Sequence, residues 1–145
     1  MIVVDANVVL SALRSSRGAS HLILREMLVG EISFAVSPAV ALEYEDVVKR
    51  EGILGVDPWI GHEEIDTVLD AVFSQAHLVS PWFRFRPFLD DPKDDIYIEC
   101  ALTAGATLIV SGDRHFLHPA IGAFGISVMR AADFVVELTR RRQSR

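Results

Sequence analysis

Residues 1–7, Met1-Ile2-Val3-Val4-Asp5-Ala6-Asn7, carry the pattern that decides the fold. Three consecutive apolar residues, all of them β-branched, lead directly into Asp5. A continuous apolar run without polar alternation is typical of a strand that is buried on both faces of a parallel sheet. Such a strand delivers the next residue to the crevice at the carboxyl edge of the sheet, where open α/β sheets bind ligands. Asp5 is therefore either a ligand-binding acid or the cap of a turn or helix.

The rest of the chain repeats the alternation of short apolar strands with helices. Hydrophobic patterning predicts further strands over 32–36, 77–79, 107–110 and 126–129. Helices are predicted over 19–29, 62–76 and 131–142. A further helix is predicted to begin at Ser37-Pro38, and another is predicted to end at Ala104, where Gly105 closes it. This order favours a three-layer α/β/α sandwich around a central, largely parallel sheet.

Size and composition indicate one globular domain over residues 1–145, with a short basic tail at about 140–145. No apolar run approaches the ~20 residues that cross a bilayer, and no signal peptide opens the chain. The single cysteine, Cys100, excludes an internal disulfide. We therefore expect a cytoplasmic protein without membrane association. The formal net charge of -6 argues against a broad nucleic-acid coat, but it is compatible with carboxylates clustered in a metal site.

One candidate site residue lies in the helix that follows Ser37-Pro38. The helix has an apolar stripe, and Glu43 falls on the margin of that stripe, whereas Glu45 and Asp46 are predicted to face water. An acid at the edge of the core is either functional or an ion-paired side chain that reaches the solvent. The residues of the stripe are Val40, Tyr44, Val47 and Val48.

Further acids lie around the later helix and strand. Asp94 is predicted in the middle of the apolar stripe of its helix, Asp95 lies at the edge of that stripe, and Asp91 precedes the helix. An acid on a buried helix face is costly unless something satisfies it. Asp113 follows the strand at 107–110 through Ser111-Gly112, so a second strand also delivers an acid to the crevice.

Four carboxylates in one crevice would repel one another and would not all ionise without cations. Oxygen ligands without His or Cys favour Mg²⁺ or Mn²⁺ over zinc. Such a site suits the hydrolysis of a phosphodiester by a metal-activated water. In this arrangement Asn7 and Ser111 would position a ligand carboxylate or the water instead of binding metal themselves.

The stretch 81–92 alternates aromatic residues with Arg84 and Arg86. Aromatic rings beside arginines can stack on unpaired bases and contact phosphates, which makes these arginines candidates for substrate binding. The alternative is a loop that folds its aromatic rings into the core.

Together these motifs resemble those of the PIN-domain nucleases, and most closely those of bacterial VapC-like toxins of toxin–antitoxin pairs. The resemblance rests on Val-Val-Asp-Ala-Asn, Ser-Pro followed by Glu43, Asp-Pro-Lys-Asp-Asp followed by Ala-Leu-x-x-Gly, and Ser-Gly-Asp. By motif, the acidic quartet of the family corresponds to Asp5, Glu43, Asp94 and Asp113, and the position eleven residues before Gly105 selects Asp94 over Asp95. The resemblance implies a Mg²⁺- or Mn²⁺-dependent endoribonuclease that is often neutralised by an antitoxin. Asp91 and Asp95 are extra acids that could also contact the metal.

Two other functions remain open from the residues. The chain could be a catalytically silent module that binds a metal or a nucleic acid. It could also be a phosphohydrolase with Asp5 as nucleophile, although such enzymes place a second Asp where this chain has Asn7. Apolar helix segments at 22–24 and 27–29 indicate surface that a homodimer or an antitoxin helix could cover.

Overall fold

Five short strands, all paired in parallel, form the centre of the molecule. A computed structural model of the protein describes residues 1–50, 52–55, 58, 60–82, 92–112 and 119–144, and covers only the backbone at 92–94, 119 and 120. The strands are β1 (Ile2–Val4), β2 (Ala35–Val36), β3 (His77–Leu78), β4 (Leu108–Val110) and β5 (Ser127–Met129). Each lies within a segment that the sequence pattern predicts as a strand, so those five predictions are confirmed.

The order of the strands puts β1 in the middle. One sheet runs β1-β4-β5, and a second pair is β2-β3. A parallel bridge between Ile2 and Phe34 connects the two, and the Ile2 N–H donates to the Ser33 carbonyl at 3.0 Å. Val4 pairs with Val110 at the carboxyl edge of β1 and β4. Because β1 and β4 are parallel, the residues that follow each of these two strands lie at the same edge of the sheet.

Helices connect successive strands and cover the sheet, which confirms the predicted α/β/α sandwich. They are α1 (Ala6–Arg14), α2 (Ala19–Leu28), α3 (Pro38–Val48), α4 (His62–Gln75), α5 (Pro92–Ala104), α6 (Pro119–Ala123) and α7 (Ala131–Gln143). Parallel strands need such crossover connections. No helix in the described part of the chain is long and apolar enough to cross a membrane.

Helix α1 was not assigned from the sequence. Its apolar side chains are buried at nearly every position, including Val8, Val9 and Leu10 in succession. The helix is amphipathic: Asn7, Ser11 and Arg14 are exposed and recur at helical spacing along one narrow polar face. The other faces are apolar, and α1 contacts α2 and α3.

Helix α5 corrects a second expectation. The sequence pattern predicts one buried stripe with Asp95 at its edge, but every residue from Asp95 to Ala101 is buried. The reason is that α5 contacts β1, β2, β4 and α3, so the core surrounds it. At its end, Gly105 adopts φ +69°, and its N–H and that of Ala106 donate to the carbonyls of Leu102 and Ala101. This left-handed cap turns the chain directly into β4.

The last helix contains most of the segment that the sequence analysis describes as a basic tail. Arg140, Arg141 and Arg142 lie within α7. Arg142 forms a two-pronged ion pair with Glu26 of α2, at 3.1 and 2.8 Å, and the other two arginines pair with Glu137. The pair between Arg142 and Glu26 joins α7 to α2, and the pairs with Glu137 lie within α7.

Ser37 begins α3, as the sequence predicts, and its loss should weaken the fold. Its hydroxyl accepts a hydrogen bond from the Val40 N–H at 3.2 Å, and Pro38 occupies the first helical position. Replacing Ser37 with Ala should lower the free energy of unfolding by about 1 kcal/mol, because it removes a buried N-cap. Urea denaturation measures this loss. Ser74→Ala is the control, since that hydroxyl is exposed and bonds only to Asp70 of its own helix. Equal denaturation midpoints for the two variants would contradict the assignment.

The thiol of Cys100 should be inert in the folded protein. Burial raises its pKa to about 11 from the ordinary 9.0, although hydrogen bonds with Ser37 oppose the shift. At pH 9 the folded thiol is therefore mostly protonated, whereas about half is thiolate once the chain unfolds. Iodoacetamide at pH 9 should alkylate Cys100 rapidly in urea and slowly in buffer. Rapid alkylation in buffer would show that the thiol is accessible.

Candidate active site

Asp5 lies where β1 ends and α1 begins, and it serves as the N-cap of α1. Its Oδ1 accepts a hydrogen bond from the Asn7 N–H at 3.2 Å, and its carbonyl accepts from the N–H groups of Val8 and Val9. Only 4% of Asp5 is exposed. The two interpretations from the sequence, cap and site residue, are therefore compatible, because the cap uses only one carboxylate oxygen.

Ser111 brings β4 to the same carboxylate. Its hydroxyl donates to Asp5 Oδ2 at 2.6 Å, and it is buried. Two backbone bonds align the strand ends, from the Asp5 N–H to the Val110 carbonyl and from the Ser111 N–H to the Met129 carbonyl, both at 3.0 Å. Both oxygens of Asp5 accept hydrogen bonds, which is the pattern of an ionised carboxylate with charge-assisted partners.

Two buried tyrosines bind the backbone on either side of Asp5. The hydroxyl of Tyr44, from α3, donates to the Val4 carbonyl, and the hydroxyl of Tyr97, from α5, accepts from the Ala6 N–H at 3.0 Å. Burial raises the pKa of both phenols above the ordinary value, and the charge of Asp5 raises each further. Both phenols therefore remain neutral hydrogen-bonding groups. The apolar stripe of its helix predicts a buried Tyr44, but no local pattern predicts either of these bonds.

The acids of α3 differ in what surrounds them. Glu43 and Glu45 are both partly buried, so Glu45 is less exposed than the helical wheel predicts, while Asp46 is exposed as predicted. After burial and the charge of Asp5, the charge of Glu43 also raises the pKa of Tyr97. The pKa of Lys49 on the surface is raised chiefly by the hydrogen bond that Lys49 donates to Asp66, and the charge of Glu45 raises it further. Glu43 therefore contributes to the electrostatic environment of the phenol whose hydroxyl binds beside Asp5.

Helix α5 carries two buried acids. Asp95 is 0% exposed, and Glu99, four residues later, is also buried and was missed by the sequence analysis. Their spacing of four places them one turn apart on the helix, and that spacing was the available signal. Both have interaction partners within the protein. Buried acids of this kind are found where polar groups or ions compensate the charge.

Several predicted site residues lie outside the part of the chain that the structure describes. This is the case for Asp91, Asp113, Arg84 and Arg86, and Asp94 is described only as backbone within α5. Asn7 is described, and there the backbone N–H, not the exposed side chain, contacts Asp5. The structure thus brings Asp5, Ser111 and the Asn7 backbone together.

The donor set at this edge fits a hard cation. The anionic groups at the site are carboxylates, and their neighbours are hydroxyl and peptide groups, which matches the oxygen ligands of Mg²⁺ and Mn²⁺. Within the described residues, no three His, Cys, Asp or Glu side chains converge closely enough to form a complete metal site. Of the acids that the motifs suggest, the side chains of Asp94 and Asp113 lie outside the described part of the structure.

Comparison with known proteins identifies the family of the chain. The profile of the family described as PIN domain matches residues 1–115, which extend from β1 past β4 and include Asp5, Glu43 and Ser111. No curated protein matches the chain. PIN domains are generally nucleases, act on nucleic acids and typically use divalent metal ions. Because the match covers well over half of the 145 residues, the chain belongs to the PIN domain family.

Proposed function

We propose that this protein is a metal-dependent endoribonuclease and the toxin of a toxin–antitoxin pair. The observation that carries the catalytic proposal is the Asp5 carboxylate, which is held by Ser111 and the first turn of α1 at the carboxyl edge of the sheet. Glu43, Asp94 and Asp113 are the proposed partners of Asp5 in holding Mg²⁺ or Mn²⁺. Asp91 and Asp95 are candidates for supporting contacts, like Asn7 and Ser111.

The chemistry follows from this donor set. When bound, divalent ions would supply the Lewis acidity that activates water and stabilises negative charge on a phosphodiester. Asp5 would contribute a fixed oxygen, because its rotamer is already held at two points. Ser111 would orient Asp5 and take no direct part in bond cleavage. Tyr44 and Tyr97 remain neutral, because burial raises the pKa of both phenols above the ordinary value.

A phosphohydrolase with Asp5 as nucleophile is disfavoured by the sequence, because such enzymes place a second Asp two residues later, where this chain has Asn7. The hydrogen bonds to both oxygens of Asp5 are compatible with a bound ion, because each oxygen has more than one lone pair.

RNA is the proposed substrate because of the motif resemblance and because of an exposed aromatic residue that precedes the two arginines in the chain. Trp82 is 87% exposed, and it directly precedes the stretch that contains Arg84 and Arg86. An exposed indole can stack on an unpaired base, and neighbouring arginines can bind phosphate. Single-stranded RNA offers both groups, so we assign base stacking to Trp82 and backbone contacts to the two arginines.

The toxin assignment and its partners rest on the motif resemblance and on exposed apolar side chains. Leu22 and Val29 of the α2 region and Val136 of α7 are exposed, and α2 and α7 contact each other. Adjacent apolar side chains of this kind suit an antitoxin segment or a second copy of the chain. We assign the antitoxin as the partner of this surface, with a homodimer as the alternative result in sedimentation.

Purified protein should cleave single-stranded RNA in Mg²⁺ or Mn²⁺ and lose that activity in excess chelator. The reason is that the described residues around Asp5 provide no nucleophile that could act without a metal ion. Gel analysis of a labelled RNA panel measures cleavage, and Asp5→Asn serves as the inactive control. Undiminished cleavage in chelator would exclude the mechanism. Inactivity on every RNA, combined with tight Mn²⁺ binding, would instead identify a silent binding module.

Two matched substitutions in α3 test which acid belongs to the site. Glu43→Gln should lower the cleavage rate by a factor on the order of 100 or more, because it removes a proposed metal-binding carboxylate. Glu45→Gln, two residues away and also partly buried, should leave the rate within about threefold, because the motif assigns Glu43 and not Glu45 to the acidic quartet. Single-turnover cleavage of one RNA by both variants measures the difference. An essential Glu45 beside a dispensable Glu43 would refute the assignment.

A further inference from the structure

Most arginine and lysine side chains in the described part of the chain have partners. Ion pairs with carboxylates hold Lys49, Arg50, Arg140, Arg141 and Arg142, and Arg14 donates to the Ile53 carbonyl. Three arginine side chains in the same part of the chain form no ion pair or hydrogen bond, and they are those of Arg17, Arg25 and Arg130. Glu26 follows Arg25 in the chain, but both of its carboxylate oxygens accept from Arg142. On a protein with a formal net charge of -6, the three exposed guanidinium groups are thus available to bind an anion.

Two of these arginines line the same pocket, which has a volume of about 440 Å³ and lies beside α2 and α7. Arg17 directly precedes the N-cap residue of α2, and Arg25 lies within that helix. His21 lies midway between them and also lines the pocket, and its Nδ1 donates to the Ala12 carbonyl at 3.0 Å. None of the described residues that line the pocket is acidic. The pocket is therefore a positively charged recess on an acidic protein.

Arg130 lies between this pocket and the candidate active site. It directly follows Met129, whose carbonyl accepts from the Ser111 N–H, and the Ser111 hydroxyl donates to Asp5. Arg130 is also the N-cap residue of α7, and Val135, which lines the pocket, lies five residues further along that helix. At 1.5 Å per residue, this is a distance of about 7.5 Å along the helix axis. The start of α7 thus leads from the carboxyl edge of the sheet to the pocket.

We propose that Arg17 and Arg25 form a subsite for the phosphodiester backbone of single-stranded RNA, away from the cleavage centre. The choice of RNA rests on the proposed function. A guanidinium group binds phosphate through two parallel N–H donors, and an arginine without a carboxylate partner gives up no ion pair to do so. An acidic protein repels a polyanion overall, so its unpaired arginines supply the local attraction that RNA binding requires. The described residues of the pocket include no aromatic ring that could stack on a base, so the contact is with the backbone.

An acidic segment of a partner protein is the alternative occupant of the pocket. Its carboxylates would pair with the same two arginines, and Leu22, which also lines the pocket, belongs to the surface assigned to the antitoxin. Arg130 favours RNA, because an unpaired arginine next to Ser111 suits a ligand that must also reach Asp5. The chain also belongs to a family that acts on nucleic acids.

Fluorescence anisotropy of a labelled oligouridylate in excess chelator tests the subsite without cleavage. The double variant Arg17→Gln/Arg25→Gln should raise the Kd about 10-fold or more. The slope of log Kd against log salt concentration should fall by about 1.4, because each lost phosphate contact on a single strand removes about 0.7. Arg130→Gln alone should lower the slope by about 0.7 for the same reason. An unchanged Kd and slope in the double variant would overturn the proposal.

The matched control removes the same charge at the other end of α7. Arg140 and Arg141 are exposed and pair with Glu137, so Arg140→Gln/Arg141→Gln should leave the Kd within about threefold and the slope unchanged. Equal weakening by the two double variants would show a general effect of net charge and would overturn the subsite. Thermal melts should show that the Arg17→Gln/Arg25→Gln variant folds like the parent protein, because both side chains are exposed and unpaired.

Two further probes separate the possible sources of the anion. Poly-glutamate that loses binding in the double variant, while the oligouridylate binds as before, would assign the pocket to an acidic protein segment. Uridine monophosphate that binds the parent as tightly as the oligouridylate does, and loses binding in the double variant, would assign it to a free nucleotide. Either result would overturn an RNA backbone subsite.

The subsite and the proposed function fail in different ways. A parent protein that shows the predicted binding differences but cleaves no RNA with Mg²⁺ or Mn²⁺ would refute the nuclease proposal and leave the subsite supported. A parent that cleaves RNA, with a double variant that binds the oligouridylate equally well, would refute only the subsite. Because binding is measured in chelator, the result does not depend on the metal site.

Discussion

The hydrogen bond from Ser111 to the Asp5 carboxylate is the contact on which the candidate site depends. It joins residues 106 positions apart, and it can form only if β1 and β4 are neighbours and in register at their carboxyl ends. A carboxylate that is 4% exposed must be compensated by donors, because its charge has lost most of its water. The donors come from α1 and from Ser111, which follows β4. The charge of Asp5 is therefore compensated only when β1 and β4 pair correctly.

The central position of α5 extends the same constraint. A helix surrounded by β1, β2, β4 and α3 has no solvent face on which to place polar residues. Asp95 and Glu99 are nevertheless buried in it, and within the described part of the chain no buried side-chain polar atom lacks a hydrogen-bond partner. Buried polar networks that are fully satisfied specify one arrangement of the elements around them, because any displacement leaves a group unpaired. The acids therefore restrict how α5 can sit against the sheet.

Local patterns predicted much of this fold, and long-range contacts explain what they missed. The five strands, the Ser37 cap and the glycine that ends α5 each have a signature within a few residues, and all are confirmed. Helix α1 has only a narrow polar face, formed by Asn7, Ser11 and Arg14, and follows β1 with no intervening loop, so its start is not marked by a turn. The bond between Tyr97 and Ala6 spans 91 positions, and it depends on how α5 packs against β1. No periodicity in the sequence encodes that distance.

A helix cap and a metal ligand make compatible demands on Asp5. The cap needs one oxygen directed at the first turn of α1, and that contact costs the carboxylate little, because the helix N-terminus favours a negative charge. The same contact fixes the side-chain rotamer, which an ion requires of its ligands. Preorganisation by the fold therefore lowers the cost of binding a cation, since the acid loses little further freedom. The residue that starts α1 is thus suited to hold a cation because it is first held by the fold.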